Sequence, residues 1–313
     1  MTSTRQNLFR AGLTLAGAAV LGAAALVAPA HATPTSAQST TAACSMNPGS
    51  VTAAGSHASS IVTAATPPTK KDQPAVAGVF QPGKARITSM YTNEPNISGA
   101  DVAGFVIQGD SLYWHTYWRT GAGGIDPSVP NAFQRIGGGW TNFVGLETSS
   151  WEDSSRARHS AYGLRSDGTL FRWDTRAPAA WRAKGSAAGF SAVKSMALIS
   201  KTATYDTFLA NTRSGALYTI RIPATSPMKP VVTKVRASGW GSLDKLIANK
   251  CGQYGTLLLA IDKETKSGFL YAVGHANGAS TVINSLGKTT GRYPDAVNFR
   301  WGPVWFLDPL NGD

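Results

Sequence analysis

The chain has 313 residues, a formal net charge of +12 and only two cysteines. The charge favours anionic partners, but the basic residues are scattered, densest at Lys70-Lys71, Arg156 with Arg158, and Arg182 with Lys184, and form no basic helix or nucleic-acid motif. Two thiols far apart, with no histidine cluster beside either, exclude a cysteine metal centre, so neither a metal nor a cofactor is expected.

Residues 1–32 have the three parts of a secretory signal: Arg5 and Arg10, the apolar run Ala11 to Ala28, and the small-x-small sequence Ala30-His31-Ala32. The alternative is a membrane anchor, but the run is rich in Ala and Gly and ends at Pro29. No other stretch approaches the ~20 apolar residues of a span. The mature protein is therefore expected outside the cell, not embedded in a membrane, and as a monomer. In that compartment Cys44 and Cys251 are expected to pair as one disulfide. Residues 33–73, rich in Thr, Ser, Ala and Pro, read as a linker or flexible arm.

Residues 74–313 form one domain-sized block without sustained helical periodicity. A short phrase recurs in it: Gly-Asp-Ser-Leu-Tyr at 109–113, Asp-Gly-Thr-Leu-Phe at 167–171, Ser-Gly-Ala-Leu-Tyr at 214–218 and Ser-Gly-Phe-Leu-Tyr at 267–271. Glycine supplies the turn and Leu-aromatic the start of a strand, so each phrase is a hairpin. A second anchor, a glycine turn followed by an aromatic, places Trp140, Phe190 and Trp240 at equal spacing.

A period near 50 residues holding about four short strands belongs to a propeller blade. Four units follow in order, with first strands near 86–90, 142–146, 192–198 and 243–248, each predicted innermost. The remaining Ala296-Val297-Asn298-Phe299 resembles another first strand and residues 304–307 a second, with Ala75 to Gln81 a candidate outer strand. The fold class is accordingly all-β, a five-bladed β-propeller whose last blade is closed by both chain ends. A four-bladed ring with a C-terminal clasp is the alternative.

The Gly-Trp anchor and the run Asp167-Gly-Thr-Leu-Phe-Arg-Trp173 resemble the repeats of tachylectin-type β-propellers over roughly residues 84–295. That resemblance implies five blades and binding of amino sugars, by analogy of fold. Trp140, Phe190, Trp240, Asp167 and Trp173 are the candidate carbohydrate-binding residues, because flat aromatic faces beside polar groups suit a sugar ring and Trp140, Phe190 and Trp240 follow glycine turns at equivalent places. The competing expectation for the aromatics is packing between blades.

A glycosidase would need two facing carboxylates. Most acidic residues sit in turn positions, and Glu147, just after an innermost strand, is the first to test. The histidines His57, His115, His159 and His275 stand apart from one another, without a nucleophile elbow. The leading expectation is a secreted, lectin-like protein that binds carbohydrate or an anionic cell-surface polymer, and not nucleic acid. A polysaccharide hydrolase or lyase, or a propeller that docks a protein, are the alternatives, so enzymatic activity is left open.

Overall fold

The computed structural model describes residues 43–177, 180–304 and 310–313. The expected signal at 1–32 lies outside the described residues, as does most of the strand expected at 304–307. The chain enters through β1 (Ser45–Met46), β2 (Pro48–Val51), β3 (His57–Thr63) and β4 (Thr69–Val76). Four meanders follow: β5 (Ala85–Pro95), β6 (Gly99–Gln108), β7 (Ser111–Thr120) and β8 (Ala132–Gly137); then β9 (Phe143–Glu152), β10 (Ala157–Arg165), β11 (Leu170–Asp174) and β12 (Arg182–Ala187). The third holds β13 (Val193–Lys201), β14 (Tyr205–Thr212), β15 (Leu217–Pro223) and β16 (Val231–Arg236). The fourth holds β17 (Lys245–Cys251), β18 (Gly255–Asp262), β19 (Ser267–Val273) and β20 (Ile283–Lys288), and β21 (Val297–Gly302) comes last. The one helical element among the described residues is a 3-10 turn at Gly278–Ser280, and none of their helices is long and apolar enough to cross a membrane.

Each meander is an antiparallel four-stranded array in chain order. Strand β21 pairs antiparallel with β2 and parallel with β5, so β2, β3 and β4 extend outward from a strand supplied by the other end of the chain. The first strand of each meander lies innermost: β5 abuts β9, β9 abuts β13, β13 abuts β17, and β17 abuts β21. The fold is all-β and propeller-like.

The arm expected at residues 33–73 requires correction. From Ser45 onward that stretch is built of strands β1 to β4 and their turns, and the predicted domain start at residue 74 falls inside β4. Its Thr/Ser/Ala composition reads as linker because few of its residues are large and apolar. Yet Met46, Val51 and Val62 are buried, and the backbone is satisfied by pairing with β21 and within the array. Residues 77–81, expected as strand with Ala75 and Val76, turn away after β4, leaving Val79 and Phe80 buried in the neighbouring core.

Five apolar cores fill the seams between neighbouring arrays. The two sequence anchors build them. Leu112, Leu170, Leu217 and Leu270 are all fully buried, each opposite the fourth strand of its own array, with a register shift directly after Leu112, Leu217 and Leu270 and after Arg172 in the second array. The Gly-aromatic anchor docks on the Leu-Tyr hairpin: the backbone N–H groups of Trp140, Phe190, Trp240 and Tyr293 donate to the carbonyls of Asp110, Gly168, Gly215 and Lys266. The turn needs a left-handed residue, and Gly139, Gly189 and Gly239 have φ of +85°, +102° and +95°.

The disulfide Cys44–Cys251 is formed, with Cα atoms 5.6 Å apart. It ties the segment leading into β1 to the end of β17.

Candidate functional site

Strand alternation sorts the aromatic residues of the first meander between two seams. On β6, Phe105 and Ile107 face the second array, while Val102 and Val106 face the core shared with β21. On β7, Leu112 and Trp114 face the second array, and Tyr113, His115 and Tyr117 the other side. Phe105 and Trp114 are direct cross-strand partners with ring centroids 4.7 Å apart.

These two rings form one wall of a cleft of about 140 Å³ between the first and second arrays. Thr92 and Met90 on β5 continue that wall. Opposite stand Thr148, Ser150 and Glu152 on β9, and His159 on β10. The hydroxyls of Ser89 and Thr148, 3.2 Å apart, link the inner strands β5 and β9 beside it. Burial holds the His159 imidazole below its ordinary value, against the pull of Glu152, and its Nε2 lies 3.0 Å from Glu152 Oε1. The cleft therefore offers the half-buried Trp114 with the buried Phe105 packed behind it, a carboxylate fixed by a histidine, several hydroxyls, and the cationic Arg176 and Lys201. It lies below the roughly 300–1,000 Å³ of drug-sized sites, so it suits a single small ring.

The sequence-predicted site residues lie elsewhere. Trp140, Phe190 and Trp240 are 6, 7 and 6 % exposed and pack in the seams between the first and second, second and third, and third and fourth arrays. They are core residues, and their indole and phenyl faces are already covered. Trp173 joins the same core as Trp140, with ring centroids 5.2 Å apart. Asp167 sits in the β10–β11 turn, at the opposite end of the array from the β9–β10 turn that Glu152 adjoins. There it accepts the Arg165 guanidinium and the Thr169 N–H, which are turn roles. Trp114 is not among the candidate residues that the sequence singled out. Its signal was the alternation in Tyr113-Trp114-His115-Thr116-Tyr117, which sets it on the face opposite to both tyrosines.

The other seams differ. Between the second and third arrays a wider cleft of about 370 Å³ is lined by Arg156, Arg158, Arg172, Arg176 and Lys184 with Trp151. Between the third and fourth, residues 310–313 are laid into the groove: Gly312 N–H donates to Ile199 O, Ala276 N–H donates to Gly312 O, and Arg221 and Thr207 donate to the Asp313 carboxylate.

Glu147 points into the central channel, where burial pushes its carboxyl up to about 7 against the opposing pull of Lys245 and Arg300. Its nearest ion-pair partner is Lys245, 3.8 Å away. The other carboxylate lining that end of the channel, Asp244, pairs with Lys194 at 2.8 Å and accepts the backbone N–H of Lys263. Among the described residues no group of His, Cys, Asp and Glu is arranged to hold a metal ion.

No protein-family model matches the chain, and no curated protein sequence matches it. Among solved structures, the fucose-specific lectin from Aleuria aurantia is similar over 82 % of this chain and 85 % of its own, at 12 % identity and a TM-score of 0.45. A second structure of the Aleuria aurantia lectin, described as a six-bladed β-propeller with a novel fucose recognition mode, has 13 % identity and a TM-score of 0.47, over 82 % of this chain and 85 % of that one. The BP39L lectin from Burkholderia pseudomallei has 13 % identity and a TM-score of 0.39, over 79 % of this chain and 70 % of that one.

Proposed function

We propose that this protein is a secreted, lectin-like β-propeller of five blades that binds carbohydrate in the cleft between its first and second blades. The observation that carries the reading is the half-buried Trp114, backed by Phe105, opposite Glu152, His159 and Ser150. A sugar ring has one or two apolar C–H faces and an equatorial rim of hydroxyls. The apolar face stacks on an aromatic ring, and the rim meets carboxylate and hydroxyl groups. Glu152 accepts from a sugar hydroxyl, and His159 holds that carboxylate in place. The disulfide supports an oxidising compartment. The five-blade count is supported by the strand of mixed origin, β21 with β2 to β4, standing beside four meanders.

A glycan array followed by calorimetry tests the reading. Trp114→Ala and Glu152→Gln should each weaken the best glycan by about tenfold or more, the usual scale for a central aromatic or charged anchor. Retention on no glycan, or affinity unchanged in both variants, overturns it.

A further inference from the structure

We propose that one mouth of the central channel binds a small tetrahedral oxyanion, either free phosphate or sulfate or the phosphate end of an organic phosphate, among Lys245, Lys263 and Thr88. This site is separate from the carbohydrate cleft and does not rest on it.

The mouth is formed where the inner strands begin. Arg86, Ile87 and Thr88 come from β5, Val144 to Glu147 from β9, Lys194 to Met196 from β13, Lys245 from β17, and Val297 and Asn298 from β21, with Asp244 and Lys263 at the rim. Its volume is about 100 Å³. Four cationic side chains, Arg86, Lys194, Lys245 and Lys263, face two carboxylates there, Glu147 and Asp244. Asp244 is satisfied by Lys194 at 2.8 Å. Arg86 donates to the carbonyls of Gly109, Trp140 and Phe143, and Lys263 to that of Ala296; a carbonyl oxygen orients a cation without neutralising it. Positive charge therefore remains in excess in a confined space, where it is poorly screened.

Two polar side chains that line the same mouth are buried without a hydrogen-bond partner. Thr88 is 1 % exposed and Asn298 6 % exposed, and Thr88 Oγ1 and Asn298 Oδ1 have no partner among the described residues. An orphaned buried polar group is costly and is rarely left so. A tetrahedral oxyanion takes the Thr88 hydroxyl as a donor and the two ammonium groups as counter-charges. Phosphate, which keeps a proton near neutral pH, can also donate to Asn298 Oδ1, and sulfate cannot.

Glu147 makes the site pH-dependent. It faces Lys245 from β17 and senses Arg300 from β21, while Lys194 and Asp244 neutralise each other across the mouth, Arg86 and Lys263 stand at the rim, and burial together with Lys245 lowers the Lys263 ammonium below its ordinary value. An ionised Glu147 repels the anion, and a neutral one does not. Binding should weaken as pH rises through about 7, where Glu147 titrates.

The test is calorimetry of the full protein with sulfate, phosphate and glycerol phosphate at constant ionic strength. Saturable binding with a Kd of about 1 mM or tighter, lost by tenfold or more in both Lys245→Gln and Lys263→Gln, is the expected result. Preference for inorganic phosphate or for glycerol phosphate tells the free anion from the organic ester, and both outcomes support the site. Sulfate keeps its charge across neutral pH, so its affinity should fall from about pH 6 to about pH 8.5, and Glu147→Gln should tighten binding and flatten that profile. Glu147→Gln guards against a lysine variant that fails to fold, since it is expected to gain affinity. Absence of saturable binding by any of the three anions, or binding indifferent to all three substitutions, overturns the proposal.

Discussion

The imidazole Nδ1 of His57 on β3 lies 2.9 Å from the hydroxyl of Tyr117 on β7, so the array assembled from both chain ends is hydrogen-bonded into the seam beside the first meander. On the same seam, Tyr91 O–H donates to His115 Nδ1 at 2.9 Å, and His115 Nε2–H donates to Asn131 Oδ1 at 2.7 Å. Both imidazoles are packed among aromatic rings, His57 against Tyr91, Phe299 and Trp301, and His115 against Phe133.

Those two histidines predict acid sensitivity at this seam. Burial holds the His115 imidazole down to about 4 and lowers that of His57 well below its ordinary value. The unfolded chain therefore binds more protons than the folded one once the pH falls below ~6.5. Stability is fully present above that pH and declines as pH falls toward about 4, by on the order of 3 kcal/mol from His115 alone. Urea titrations across this range should show it, and His57→Phe should make the slope shallower. Glu147, pushed up to about 7, adds stability as pH falls over the same range, so the histidine contribution is read as the difference between the protein and His57→Phe, and equal pH slopes in the two would contradict the neutral, buried assignment.

Asp206 should be the most sensitive acidic residue for stability. Its fully buried carboxylate accepts from Arg158, from Tyr162 O–H at 2.6 Å and from Ser149 Oγ at 2.6 Å, joining the second and third arrays. Asp206→Ala leaves the Arg158 charge and the Tyr162 hydroxyl without their acceptor, a loss of about 3–5 kcal/mol. The urea midpoint should fall with little change in slope. A shift below about 1 kcal/mol would mean that the network is replaced by solvent.

Trp240 and Trp114 should separate stability from binding. Trp240→Ala opens a hole among Leu217, Leu243 and Leu258 in the third seam and should lower stability by about 3–5 kcal/mol. Trp114, half-buried at the cleft, should lose glycan affinity for a smaller loss of stability. Thermal melts and calorimetry on the two variants read both effects. The assignment fails if Trp240→Ala abolishes glycan binding at full stability.

Reduction, or the double substitution Cys44→Ser with Cys251→Ser, removes a crosslink spanning 207 residues of sequence. Loss of a native disulfide typically lowers stability by about 2–5 kcal/mol. Strands β1 to β4, which meet the fourth array through the bridge and the core of Met46 and Val62, should exchange their amide protons fastest in the reduced protein. Uniform exchange in the oxidised and reduced forms would show that the bridge adds nothing to closure.

Much of the architecture was legible in the sequence, because it depends on local chemistry. A left-handed glycine, an aromatic one or two positions later, and a Leu-aromatic strand start are each fixed by backbone sterics and alternation, so their recurrence set the period and placed the innermost strands. The same locality misled at two places. Residues 45–73 lack the bulk that marks a strand, yet they hold β1 to β3 and most of β4, because β21, more than two hundred residues away, gives β2 its ladder and the other three pair outward from it. Trp140, Phe190 and Trp240 were the conspicuous aromatics, yet regular spacing puts them at the one place every unit must pack against its neighbour. What only the tertiary structure decided was which surfaces remain open. Trp114 meets Glu152 and His159, and Lys245 meets Glu147, because a seam and a channel bring together residues whose distance along the chain carries no trace of it.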